Sequence, residues 1–134
     1  MKNLNVIKDE LQNGIYDGKL KDVYVDEELV AYNRKRYVDA LEKFEELFGD
    51  KEVELYSAPG RSEVCGNHTD HQNGHVLATS INLDAIAVAA LADDGRIRLV
   101  SDDYPMIEMN IRDLEKKEEE KESTASLIRG VAAG

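Results

Sequence analysis

Positive charge is scarce in this sequence: 17 Lys plus Arg stand against 28 Asp plus Glu in 134 residues, a formal charge of −11. The deficit runs along the whole chain, with 9 basic against 14 acidic residues over 1–57, 3 against 5 over 58–100, and 5 against 9 over 101–134. No basic stripe occurs, which excludes nucleic acid and anionic membrane surfaces as expected partners, since both attract clustered Lys and Arg. The single cysteine, Cys65, cannot close an intrachain disulfide. No apolar run approaches a membrane span, and the opening MKNLNVIKDELQNG lacks the uninterrupted apolar core of a signal peptide. A cytoplasmic location is therefore expected. The nine glycines have no spacing that would build a phosphate loop of either common type.

What is present suffices for one globular core. The chain is 42% hydrophobic and 34% charged, unlike the apolar-poor profile of disordered chains, and its length suits one domain over 1–134. Leu4, Ile7 and Leu11, followed by Gly14, predict a short amphipathic helix over 4–13. From Asp26, a capping residue, a longer helix is predicted, with Tyr37, Leu41, Phe44 and Phe48 as a core-packing stripe and Gly49 as its stop. Val53 and Leu55 alternate with polar residues as a strand, which Ala58-Pro59-Gly60 is expected to end.

Residues 81–92, INLDAIAVAALA, read as a strand buried on both faces and interrupted early by Asp84. Asp93-Asp94-Gly95 signals a hairpin turn, flanked by strands carrying Ile97 and Leu99 on one side and Ile107, Met109 and Ile111 on the other. The run 115–122, EKKEEEKE, predicts a solvated surface segment. Ser123 or Thr124 then caps a last helix with Leu127, Ile128, Val131 and Ala132 on one face. The expected class is α+β, with a mixed sheet of about four or more strands packed on helices.

The chemistry concentrates in residues 58–78, APGRSEVCGNHTDHQNGHVLA. His68, His71 and His75 fall within eight positions there, beside Arg61, Glu63, Asn67 and Asp70. Three readings compete. A metal site could use His68, Asp70 and His71, but a fourth histidine or a second cysteine is missing. A structural loop could be shaped by Gly60, Gly66 and Gly74, its polar side chains satisfying the backbone. A polyhydroxylated ligand would need a carboxylate for paired hydroxyls, an imidazole and an amide, which are Asp70, His68 and Asn67.

These residues carry a resemblance. APGR at 58–61, GNHTD at 66–70, Gly74, VLA at 76–78 and SINLD at 80–84 resemble the signature of galactokinases, in the superfamily that also holds homoserine, mevalonate and phosphomevalonate kinases. DDGRIRLVSDD at 93–103 and SLIRGVAAG at 126–134 extend the likeness, so that it covers most of 25–134. The resemblance implies the amino-terminal lobe of a kinase of this type, which transfers the γ-phosphoryl of MgATP to the anomeric hydroxyl of galactose. Arg61 would then be catalytic, stabilising charge near the reacting hydroxyl, while His68 and Asp70 would hold sugar hydroxyls.

Asn67 occupies the position of the family's sugar-binding glutamate, Glu63 stands where the family has asparagine, and His71 replaces tyrosine. The family's serine- and glycine-rich nucleotide loop and its catalytic aspartate lie downstream of the matched region. The resemblance therefore implies a sugar-binding part of a longer kinase that by itself holds no nucleotide and turns nothing over. Such a part is expected to self-associate through surface that a missing lobe would cover. A catalytically silent sugar sensor on the same lobe is the alternative.

Overall fold

The computed structural model describes residues 1–67 and 69–134, and the backbone alone of Asp70. It is α+β, and the chain divides into two compact units, Met1–Ala90 and Leu91–Gly134.

The first unit begins with a two-residue strand β1 (Lys2–Asn3) and helix α1 (Leu4–Gln12). Asn3 caps α1 by accepting from the amides of Asn5 and Val6 at 3.0 and 3.3 Å, which satisfies two of the donors a helix start leaves open. A helix α2 (Asp17–Tyr24) follows where no element was expected. Gly14 and Gly18 obscure it, leaving only Leu20 and Tyr24, one turn apart, as its buried contribution. Val25 closes α2 in the left-handed conformation, φ 66°, unusual for a β-branched residue. Helix α3 (Glu28–Phe48) carries the expected stripe in Tyr37, Leu41 and Phe44, while Phe48 packs on the Phe44 ring outside the core cluster, and the helix stops at Gly49, φ 78°. Asp26 accepts from the Glu28 amide at 2.9 Å, the anticipated cap.

Strands β2 (Glu52–Cys65) and β3 (Leu77–Ala89) form a long antiparallel hairpin, and β1 adds to the other edge of β2 through Lys2 opposite Val53. Leu4, Ile7, Leu11, Leu20, Tyr24, Tyr37, Leu41 and Val53 make the core of this unit, with Phe44, Leu55, Ile86 and Val88 packed against it.

Two expectations about the hairpin fail. β2 does not end at 58–60 but runs through Pro59 and Gly60 to Cys65. Beyond Val53 the β1 edge of β2 is unpaired among the described residues, and the register shifts between Pro59 and Arg61; edges and bulges are where a strand accommodates proline. Nor is β3 buried on both faces. Ile86, Val88 and Ala90 meet the core, while Leu77 and Leu83 lie exposed, because the helices pack against the base of the hairpin near Val53 and Leu55.

The second unit is a hairpin of β4 (Arg96–Leu99) and β5 (Ile107–Asn110), followed by α4 (Thr124–Ala133). Ile97 pairs with Met109, which is buried. Gly95 turns the chain at φ 68°. Across the ladder, Glu108 bonds both Arg96 and Arg98. Ser123 caps α4 by accepting from the Ser126 amide at 3.2 Å. Of the apolar face read for α4, Ile128 is half-buried, but Leu127 and Val131 lie at the surface, 68% and 76% exposed. The buried side chain is Arg129, whose guanidinium donates to both carboxylate oxygens of Glu120 at 2.8 and 2.7 Å and to the Asp113 carbonyl. One residue of the solvated acidic run is thereby tied to the last helix.

Leu41→Ala should cost about 3 kcal/mol, since it opens a cavity at a fully buried site. Leu127→Ala should change stability by no more than about 0.5 kcal/mol. Urea unfolding of the two variants checks the contrast.

Candidate functional site

The polar segment that stands out in the sequence occupies the far end of the β2–β3 hairpin. Arg61 lies on β2 opposite Ser80, and Glu63 opposite Ala78. The pairing is regular between them, so the two residues share one face of the strand. Arg61 is exposed. Asn67 is exposed and left-handed, φ 53°. The Asp70 backbone starts a 3-10 turn, Asp70–Gln72. His68 and the Asp70 side chain lie outside the described residues.

The connection between the strands is held by its own backbone. The Thr69 hydroxyl donates to the Gly66 carbonyl at 2.8 Å, and the Gly74 amide donates to the Thr69 carbonyl at 2.7 Å. The chain therefore crosses itself, and glycine is required at both contacts. A Cβ on Gly66, already at φ 132°, would stand 2.5 Å from Val76 Cγ1 and 2.7 Å from its Cα. On Gly74 it would stand 2.2 Å from Thr69 Oγ1 and 2.7 Å from the Thr69 carbonyl oxygen. Such closeness is far inside van der Waals contact, so Asn67, the Asp70 backbone and Asn73 are presented by a tightly closed turn.

Below this loop sits a cluster around Asp84, which sequence reading registered as an interruption of the strand and as the last residue of the SINLD match. The Asp84 side chain is 2% exposed. Its Oδ2 accepts from the Tyr24 and Ser57 hydroxyls, each at 2.6 Å, and its Oδ1 accepts from Arg36 at 2.8 Å. Arg36 also donates to the Asp84 carbonyl at 3.1 Å and to the Asn33 side-chain oxygen at 2.7 Å. Tyr24 and Tyr37 hydroxyls meet at 3.2 Å. A cavity of about 260 Å³ opens beside Asp84, bounded by Tyr24, Ser57, Ser80 and Asn82.

Burial alone would raise the Asp84 pKa. The hydrogen bonds from Ser57, Tyr24 and Arg36 outweigh it and hold the carboxyl below its ordinary range. Burial, then the bond to Asp84, push the Tyr24 phenol well above its own. The signal available in the sequence was one carboxylate inside an apolar run, which demands partners when buried. The identity of those partners, 27 to 60 residues away, was not available.

Residues 42–91 match the family model described as the galactokinase galactose-binding signature. A galactokinase of Lactococcus lactis subsp. lactis is 41% identical over 83 residues, covering 59% of this chain and 21% of that protein. One of Enterococcus faecalis is 40% identical over 77 residues, covering 55% and 20%. One of Lactobacillus helveticus is 32% identical over 95 residues, covering 69% and 24%. The chain thus spans between a fifth and a quarter of the length of these relatives. No solved structure matches it.

Two outcomes follow from the geometry. Gly74→Ala should open the crossing, seen as faster amide hydrogen exchange over 66–76, while the unfolding free energy of the helical core changes by less than about 1 kcal/mol. Asp84, with a pKa held low, contributes stability in full above its unfolded value of about 4 and loses it as pH falls through the folded value. Tyr24, held high, contributes below about pH 10 and loses it as pH rises beyond. The stability difference between the parent chain and Asp84→Asn, followed by urea unfolding, should be flat from about pH 5 to 9 and shrink on the acid side.

Proposed function

We propose that this chain, which carries the galactose-binding signature of galactokinases, is the sugar-binding part of an enzyme that phosphorylates the anomeric hydroxyl of galactose with MgATP. The observation that carries the reading is the coincidence of the signature with the closed turn and the adjoining face of β2. Charge supports it as well. Arg61 is the sole Lys or Arg between Lys51 and Arg96, a stretch that holds seven Asp and Glu. Carboxylates and amides suit a neutral polyol, whose hydroxyls both donate and accept.

In this reading Asp70 and His68 hold sugar hydroxyls, with Asn67 and Glu63 completing the set. Arg61 donates hydrogen bonds to the anomeric oxygen as that oxygen attacks the γ-phosphorus and its charge changes, so its effect is electrostatic and positional. One guanidinium cannot also neutralise a triphosphate. The residues of this motif therefore do not fit MgATP, and its binding is assigned to other parts of the parent enzyme. The 134 residues by themselves are expected to give no sugar-dependent ATP turnover in a coupled assay.

Asp70→Ala should abolish galactose binding, measured by calorimetry on the 134-residue chain; an unchanged affinity would sink the assignment. In the parent enzyme, Arg61→Ala should lower kcat by about 10²- to 10³-fold with a smaller change in galactose KM. A raised KM at unchanged kcat would instead make Arg61 a ground-state binding residue.

A further inference from the structure

The ladder between β2 and β3 is regular up to Pro59 opposite Asp84, and resumes with Arg61 opposite Ser80. Over that interval β2 advances by Gly60 alone while β3 accommodates Ile81, Asn82 and Leu83. The extra residues press onto Gly60: a Cβ there would lie 3.2 Å from Ile81 Cδ1 and 3.3 Å from the Leu83 carbonyl oxygen. Asp84 is the residue at which this bulge rejoins the ladder, and it is gripped from three elements at once. Ser57 reaches it from β2, Tyr24 from α2 and Arg36 from α3. Arg36 bonds the main-chain oxygen of residue 84 as well as its carboxylate.

A one-residue slip of β3 would turn Asp84 to the opposite face and leave the Arg36 guanidinium, 27% exposed, beside an apolar side chain. An uncompensated charge so placed is costly, and fixing register is the best-attested use of a buried polar group. Beyond the bulge, this register, together with the closed turn at the other end, determines what Arg61 and Glu63 stand opposite. Arg61 is two residues from Pro59, about 7 Å along the strand.

From this geometry we infer that Asp84, acting with Arg36, is a positioning residue for the sugar motif: the pair sets the register of the bulged hairpin and so the placement of Arg61 and Glu63. The inference rests on the sugar-binding reading for its consequence, and on the hairpin alone for its structural half. Asp84→Asn keeps the side-chain shape and an oxygen for Arg36 but removes the charge. In the 134-residue chain this variant should retain the far-ultraviolet dichroism of the parent. Its galactose dissociation constant should rise about tenfold, and its Gly60, Arg61, Ser80 and Ile81 amide resonances should shift.

A residue that merely stabilises the fold would lower the unfolding midpoint and leave affinity and those resonances unchanged below it; that result overturns the inference. Should Asp84→Asn fail to fold, Arg36→Lys substitutes for it. That variant keeps the charge but loses the second bond to residue 84, and unchanged affinity and resonances again overturn the proposal. If the parent chain binds no galactose, the sugar reading falls, and the amide resonances alone decide the register: shifts at Gly60 and Ile81 support it, and their absence overturns it.

Discussion

One buried carboxylate organises the first unit. Asp84 stands where two helices and two strands converge, and each of its contacts comes from a separate stretch of chain. The apolar core holds the helices to the sheet without specifying which residues face one another, because burial is non-directional. Hydrogen bonds to a fixed charge are directional, and taking one partner away would strand the other in a poorly solvated place. Tyr24 links the two kinds of contact, with its ring in the core and its hydroxyl on Asp84. Register and packing are thereby coupled through a single residue.

The hairpin divides into two regions of different character. Near Val53, Leu55, Ile86 and Val88 it is a sheet face covered by helices. Past Pro59 it carries polar and exposed side chains and ends in a turn that closes through Thr69 and Gly74. A rigid base with a polar tip is the usual arrangement for binding groups, since loops by themselves lack the packing to hold a geometry. Asn67 and Asn73 both adopt positive φ in the turn, conformations that asparagine tolerates better than most residues. The second unit uses a comparable device on a smaller scale. Arg129 draws Glu120 and the Asp113 carbonyl onto α4, and Glu120 in turn holds the guanidinium pKa above its usual value.

Much of this was legible from residue order. The stripe Tyr37, Leu41, Phe44 repeats at the helical period, and the alternation at 53–55, 96–99 and 107–109 repeats at the strand period, so local spacing announced α3, β2, β4 and β5. Gly49 and Ser123 marked a helix end and a helix start through the backbone groups they satisfy. The motif at 58–78 declared itself through residue identity, and the family model covers it. Helix α2 was not legible, because Leu20, Val23 and Tyr24 among charges and a glycine make no sustained pattern until a core exists to receive Leu20 and Tyr24. Pro59 misled for a related reason: whether a strand tolerates proline depends on its neighbours, which are set by the sheet.

The sequence by itself determined the helices with sustained period, the strand alternation, the acidic field with one cation in its centre, and the glycines of the motif. These depend on interactions within a few residues or on composition. The tertiary structure alone decided that Asp84 is an anchor instead of a break, that Leu127 and Val131 face outward while Arg129 is buried, and that Gly74 is held against Thr69. Each of these is a meeting of groups that the folded chain brings together. Their free energy depends on the distance and desolvation of the pair, quantities that do not exist until the fold has formed.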